Sequence, residues 1–276
     1  MTALVVGYLL AIRVARLRPA SVSSKSQAGA GAVPPVSLAR QVSFLLGVGL
    51  LWLGADWPIH ELAEERLFSV HMVQHTLFSL VAPPLLLLGL PPELLRRVFR
   101  TDRSLRLLRA VTRPVVALVL FNGVVLATHW PVIVDASLRS EPLHFGLHAV
   151  LFSSAIVMWW PVVEPLPEIK QMSAPGKMLY LFLQSILPTV PASFLTFADA
   201  PIYHFYESVP RMWGLSVLVD QQIAGLIMKI GGGLLLWICI ATIYFRWNAK
   251  EERGEQEEIS WEAFERELDV WELRKG

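Results

Sequence analysis

The feature that most constrains this chain is the arrangement of its apolar residues in long, nearly uninterrupted blocks. A helix needs about 20 mostly apolar residues to cross a hydrocarbon core of roughly 30 Å. Only 17% of the 276 residues are charged, against about 25% in an ordinary soluble domain. The pattern therefore predicts an all-α integral membrane protein with seven transmembrane helices. The predicted spans are Thr2–Val14, Val42–Trp57, Phe68–Leu90, Pro114–Trp130, Leu143–Val163, Met178–Phe197 and Val217–Phe245.

The basic residues between the spans predict the orientation of the protein. Lys and Arg concentrate in the cytoplasmic connections of membrane proteins. Twenty basic residues lie in alternate connections and in the C-terminal segment, whereas the other loops hold only Arg66, Arg139 and Arg211. The N-terminus is therefore predicted to be outside and the C-terminus inside. The odd number of crossings that this requires supports counting the short first block as a span.

Two segments outside the spans differ in composition from the rest. Residues 21–35 are rich in Ser, Ala, Gly and Pro and have no apolar period, which is typical of a flexible linker, here cytoplasmic. Residues 246–276 are acidic, with Phe264, Leu268 and Trp271 at helical spacing, and predict an amphipathic cytoplasmic tail. Residues 1–245 are predicted to form the transmembrane domain.

Composition and motifs exclude several classes of function. The formal net charge of +1 gives no reason to predict nucleic acid as a partner. The single cysteine, Cys239, excludes an internal disulfide and a cage of thiolates. The glycine run at 231–233 lies inside the last span and lacks the lysine and hydroxyl of a phosphate-binding loop. Because no nucleophile–base arrangement is found beyond the histidines, the sequence predicts that the protein is not an enzyme.

The seven histidines all fall in predicted outer loops or at the outer ends of spans. Two pairs have the spacing of metal ligands: His71 and His75 in the third span, and His144 and His148 in the fifth. Residues four apart face the same side of a helix, about one turn from each other. Two such helices side by side would offer four imidazoles at one depth, with His129 at the end of the fourth span as a fifth.

These five histidines predict metal or proton chemistry, and the residues alone leave that choice open. Neutral imidazole suits copper, zinc and iron, and Met72 or Met212 would add a soft thioether that favours Cu(I). His60 and His204 lie in outer loops without a paired partner, so they are not predicted to be ligands.

The third and seventh spans carry other features that need an explanation. Pro83 and Pro84 remove backbone donors and predict a kink below the first histidine pair. Asp220 and Lys229 are nine residues apart, on opposite faces of a straight helix, so they are not predicted to pair unless the helix breaks. A structural and a functional role for Lys229 both stay open. Tryptophans near the predicted interfaces suggest an aromatic belt: Trp52, Trp57, Trp130, Trp159, Trp160, Trp213 and Trp247.

Short motifs follow one another along the spans: HMVQH (71–75), THWP (128–131), HFGLH (144–148), KMLYLF (177–182), FLTF (194–197), PIYHFY (201–206) and DQQIAGLIMK (220–229). Together they resemble the CtaG-type bacterial cytochrome c oxidase assembly proteins, over roughly 57–229. The resemblance implies a multi-pass protein of the bacterial plasma membrane that supports oxidase maturation through copper supply. Its implied partners are the oxidase subunits, other copper-delivery proteins and the lipid bilayer. Some members of that family have an aromatic residue where Lys229 stands, so no role is carried over to it.

The predicted cargo is copper, and the predicted ligands are His71, His75, His129, His144 and His148. Three other functions stay open at this point. A haem-binding redox protein would use two axial histidines and an apolar slot between helices. A metal transporter would need ligands at successive depths through the bilayer. The polar residues predicted to lie below the outer third are Asn122, Gln184 and Lys229, which are few for such a pathway. A zinc-dependent membrane hydrolase would need a carboxylate base near the ligands.

Overall fold

The protein's structure, a computed structural model, describes residues 6–8, 36–56, 59–169, 172–253, 265–266 and 270–271. Within these residues the chain is helical and contains no strand. The helices are α1 (Leu38–Ala55), α2 (Ile59–Glu65), α3 (Phe68–Gly89), α4 (Pro92–Val98), α5 (Asp102–Val111), α6 (Pro114–Thr128), α7 (Pro131–Ser137), α8 (Glu141–Val163), α9 (Ala174–Thr196) and α10 (Val217–Glu251). Short 3-10 turns lie at Pro167–Ile169 and His204–Glu207.

Five of these helices are long and apolar enough to cross a membrane: α1, α3, α8, α9 and α10. A sixth crossing is made if α5 and α6, which meet at a bend of 69°, are taken as one span. The prediction of an all-α, multi-pass membrane protein is therefore confirmed for the described part of the chain. The first predicted span, Thr2–Val14, lies outside the described residues except at 6–8. The linker 21–35 and most of the tail also lie outside them.

Helices α1 and α3 pack closely because a glycine lies where they cross. A Cβ added to Gly89 would stand 2.6 Å from the backbone nitrogen of Phe44, so a larger residue would force the backbones apart. The Tyr8 hydroxyl donates to the Gly89 carbonyl at 2.8 Å, and its ring stacks on that of Phe44. Small residues commonly permit such close approach between membrane helices. These contacts fix the position of α3, which carries the first histidine pair.

A wider helical turn and a neighbouring tryptophan accommodate the prolines of α3. The residues Leu77–Val81 form a π-helical turn just before Pro83 and Pro84. Pro83 has no N–H for the Ser79 carbonyl four residues earlier. Trp159 Nε1, from α8, donates to that carbonyl at 3.0 Å instead. The bond ties together the two helices that carry the paired histidines.

Two tryptophans depart from the predicted aromatic belt. Trp159 and Trp160 are both buried, whereas Trp52 and Trp130 are exposed. The belt prediction is wrong for the two buried residues because they pack inside the bundle. The Trp159 indole satisfies a backbone carbonyl of α3, and the Trp160 ring meets that of Phe99 edge to face.

Helix α10 also contains a π-helical turn, at Ile227–Gly231. Just before it, Gly225 allows α10 to lie against α9, since a Cβ there would be 2.5 Å from Thr196 Oγ1. Such turns are uncommon, and they frequently mark functional sites. This turn and the one at Leu77–Val81 contribute residues to one cavity beside the histidines.

The described part of the tail contacts the helical core. Trp271 is buried, and its ring centroid lies 6.3 Å from that of Tyr180 in α9. The predicted amphipathic helix of the tail rests on Phe264, Leu268 and Trp271, of which the first two lie outside the described residues.

Candidate metal centre

Helices α3 and α8 bring the two histidine pairs together. The ring centroids are 4.4 Å apart for His71 and His75, and 4.3 Å apart for His144 and His148. Across the two helices, the centroid of His71 is 5.4 Å from that of His144 and 5.5 Å from that of His148. His75 and His148 are 4.9 Å apart by the same measure. The structure thus places four imidazoles in one cluster, and their binding of metal stays a prediction.

Three of these imidazoles are close enough to share one ion. One ring nitrogen each of His71, His75 and His148 lies within 4.8 Å of the other two. Nitrogens bound at about 2.0–2.1 Å to a tetrahedral ion are roughly 3.4 Å from one another. Side-chain adjustments of about an ångström would therefore close the three rings around a metal ion.

The ring nitrogens of the cluster are buried without the partners that such atoms normally have. His71 and His75 are 5% and 9% exposed. No hydrogen-bond partner is found, among the described residues, for Nδ1 of His71, for either nitrogen of His75 or for Nε2 of His148. Buried polar atoms are nearly always hydrogen-bonded, so these exceptions indicate an ion or an ordered water molecule. A neutral imidazole with a free lone pair is the form that binds metal.

A hydrogen bond to the backbone of the preceding helix, α6, orients His129 toward the cluster. Its Nδ1 lies 2.7 Å from the Val125 carbonyl oxygen, so this nitrogen carries the proton and donates. Its Nε2 has no hydrogen-bond partner in the described part of the chain, and its ring lies 5.3 Å from that of His75. A hydrogen bond on one ring nitrogen commonly leaves the other as the metal ligand. His129 is thus placed to extend the cluster on the His75 side.

Glu64 is a residue of the site that the sequence analysis missed. Its Oε1 lies 2.8 Å from His144 Nε2 and 3.0 Å from His60 Nδ1, at ion-pair distance from both rings. His60 and Glu64 are four residues apart on α2, which is the same helical spacing as in the histidine pairs. That spacing is the signal that could have predicted the carboxylate. Glu64 Oε1 and His144 Nε2 are near each other without the geometry of a hydrogen bond, and Glu64 thus lies beside His144 at the rim of the cluster, next to the three closer rings.

Asp220 caps the N-terminus of α3 from another helix. The residue before α3, Leu67, provides no side-chain cap. The Asp220 carboxylate accepts from the backbone N–H groups of Phe68 and Ser69, at 2.8 and 3.0 Å, and is fully buried. A negative group at a helix N-terminus satisfies unpaired donors and interacts favourably with the helix dipole. The cap fixes the start of α3 one turn before His71.

Lys229 has other partners, as its place on the opposite face of α10 predicts. Its Nζ lies 3.3 Å from Ser193 Oγ and 5.1 Å from the centroid of the Phe197 ring. Asp220 and Lys229 therefore do not pair, although α10 is locally unwound between them.

The loop between α9 and α10 packs against the elements that carry the site. The Tyr203 hydroxyl donates to the backbone carbonyl of His129, and the Tyr206 hydroxyl donates to that of Ala63. Burial raises the pKa of both phenols above its usual value, so both hydroxyls remain donors at physiological pH. His204 in the same loop is exposed and pairs with the carboxylate of the nearby Glu207.

The thioethers near the site differ in part from the prediction. Met72 lines the cavity beside the cluster, as predicted for a candidate ligand. Met212 is not among the residues that line it, whereas Met228 from the π-turn of α10 is. Met228 was not predicted from the sequence because its position depends on how α10 packs against α3.

A family model described as cytochrome c oxidase caa3 assembly factor (Caa3_CtaG) matches residues 6–250. Uncharacterized proteins of Mycobacterium bovis and Mycobacterium tuberculosis are each 23% identical over 232 residues, covering 78% of this chain and 35% of the relative. An uncharacterized protein of Mycobacterium leprae is 24% identical over 209 residues, covering 68% of this chain and 31% of the relative. The chain thus spans about a third of the length of these curated relatives. No solved structure matches it.

Proposed function

The chain belongs to the cytochrome c oxidase caa3 assembly factor family, and on that premise we propose that it supplies copper to the oxidase during assembly. Copper is the cargo, held in transit by the histidine cluster. It passes to the oxidase subunits directly or through other copper-delivery proteins. The protein does this from the bacterial plasma membrane and catalyses no reaction.

One observation carries the proposal. Three imidazoles from two helices, two of them buried and that of His148 half-buried, have nitrogens within 4.8 Å of one another. Neutral nitrogen donors accept both Cu(I) and Cu(II), and a site of this kind binds Cu(II) more tightly than other divalent ions of the first row. His129 and His144 lie beside these three rings and provide further ligands to an ion as it enters or leaves.

A zinc-dependent hydrolase is the second candidate, and Glu64 is the observation that favours it. Such an enzyme needs a carboxylate base beside the ligands. Glu64 is a carboxylate, as such a base must be. Its oxygen, however, contacts His144 and His60 and not the three closest rings. We therefore assign Glu64 to the orientation of His144, and keep copper transit as the primary function.

Haem and bulk metal transport are less well supported by the geometry. A haem between two histidines needs a flat slot for the porphyrin, whereas rings across α3 and α8 are only 4.9 to 5.5 Å apart between centroids. Below the cluster, Gln184 is bonded to Asn122 and Tyr180, so it is not free to pass an ion inward.

Elemental analysis and the visible spectrum of the purified protein separate the alternatives. Copper without a Soret band is expected, and a Soret band would support haem instead.

The proposal includes a topology of seven spans, with the N-terminus and the histidine cluster outside. It is supported by the asymmetry of basic residues and by the long apolar helices of the described chain. In this arrangement copper is received and released at the outer face of the membrane.

Accessibility of engineered cysteines tests this topology. In a Cys239→Ser background, an impermeant thiol reagent added to intact cells should label Ala136→Cys on α7. It should not label Ser104→Cys on α5 until the cells are opened. Labelling of position 104 but not 136 in intact cells would invert the topology and put the histidines on the cytoplasmic side.

A further inference from the structure

A cavity of about 60 Å³ lies beside the histidine cluster, between α3, α6, α9 and α10. Its walls include residues of both π-helical turns, Leu77–Val81 and Ile227–Gly231. His75 and His129 form its boundary on the cluster side. The space is enough for one ion, because a single water molecule needs about 10–15 Å³ on the same measure.

Most polar side chains on the wall of this cavity are already engaged as donors. The hydroxyls of Thr76, Ser79 and Ser185 donate to backbone carbonyls of their own helices. The Gln184 amide bonds to two neighbouring side chains. A buried amide or hydroxyl that is bonded in this way offers little to a new ligand, so these four residues do not define what the cavity binds.

The donors that remain are two imidazoles and two thioethers. His129 Nε2 and both nitrogens of His75 lack a hydrogen-bond partner within the described residues, and both rings are more than nine-tenths buried. Met72 and Met228 line the same cavity, from α3 and from the π-turn of α10. His75 belongs both to the cluster and to the wall of the cavity. A neutral imidazole has one lone pair, so His75 binds an ion in one of the two places at a time, and an ion in the cluster is then held by His71 and His148 with His144 beside them.

We propose that this cavity is a second metal site that takes Cu(I), with His75 and His129 as nitrogen ligands and Met72 and Met228 as thioether ligands. Thioethers are soft ligands that select Cu(I) over Zn(II) and other harder ions. All four groups are neutral, so a monovalent ion is less costly to bury here than a divalent one. The inference rests on the proposed function, since the ion enters through the histidine cluster and takes His75 from it.

The test compares a soft and a harder ion on the detergent-purified full chain. Ag(I), which resembles Cu(I) but does not change oxidation state, should bind at two equivalents per chain, and Zn(II) at one. The double variant Met72→Leu/Met228→Leu keeps the volume of both side chains and should lose one equivalent of Ag(I) and no Zn(II). Met158→Leu is the matched control, because Met158 is fully buried but does not line the cavity.

Unchanged Ag(I) binding by the folded double variant would overturn the second site and leave the histidine cluster in place. Should that variant not fold, X-ray absorption of the wild-type chain loaded with Cu(I) decides the question. Sulfur in the copper coordination shell supports the site, and nitrogen alone overturns it. Wild-type protein that binds neither Ag(I) nor Zn(II) would instead overturn the proposed function itself.

Discussion

Replacement of His71 or His148 with alanine should remove the copper ion held by the histidine cluster of the purified chain while leaving the protein folded in the membrane. Each change removes one of three clustered nitrogens. Loss of a group that merely supports a metal ligand costs about 10–100-fold in affinity, so loss of a ligand should cost at least that much. Copper per chain after equilibrium dialysis is the measurement, together with the amount of protein in the membrane.

Folding should survive because these rings contribute few bonds to the fold. His71 Nδ1 and His148 Nε2 have no hydrogen-bond partner in the described chain, so alanine there removes no hydrogen bond of either atom. His204→Ala is the control, since that ring is exposed and pairs only with Glu207. Full copper binding by a His71→Ala/His148→Ala double variant would contradict the assignment. Disappearance of both variants from the membrane would show that the histidines are structural.

Asp220→Ala should give the largest loss of stability among single substitutions around the histidine cluster. The change leaves the N–H groups of Phe68 and Ser69 unpaired in a buried place. Hydrogen bonds to a charged group contribute about 1.5–3 kcal/mol each, so the free energy of unfolding should fall by about 3–6 kcal/mol. Thermal unfolding in detergent measures the change, and copper binding should weaken with it because the start of α3 is no longer fixed.

Asp199→Ala is the matched control for this substitution, because Asp199 is exposed in the loop that follows α9. The unfolding temperature of Asp220→Asn should lie between those of the two alanine variants. The asparagine side chain keeps one oxygen as an acceptor, but its NH2 group, a donor, then faces a backbone N–H. An unfolding temperature of Asp220→Ala equal to that of Asp199→Ala would show that the cap does not hold α3 in place.

The sequence was sufficient to predict the elements of the site but not how they are supported. Histidines four apart in two apolar spans can share one depth, and the spacing of His71, His75, His144 and His148 led to their grouping. Those pairs lie on continuous helices, so local periodicity determines which face each ring occupies. His129 ends the neighbouring helix α6, and the structure places it beside His75.

Most of the features that sequence reasoning missed depend on contacts between distant parts of the chain. Asp220 caps a helix that begins about 150 residues earlier, and the local pattern showed only a charge near a span end. Trp159 was expected at a membrane interface, but its indole N–H donates to the Ser79 carbonyl. That carbonyl lacks its usual helical donor because Pro83 has no N–H. Glu64 reaches His144 because α2 folds back onto α3, which no periodicity of α8 could reveal. Such tertiary pairings override local preference.

The copper content of the oxidase itself tests the central claim most directly. The oxidase would be purified from cells whose only copy of this chain is wild type, His204→Ala, or His71→Ala/His148→Ala. Metal analysis would give the ratio of copper to haem iron in each preparation. The account predicts the full ratio for the first two and a several-fold lower ratio for the double variant, with partial recovery when copper is added to the medium. An oxidase with its full copper content in the double variant would contradict the claim that these histidines supply copper.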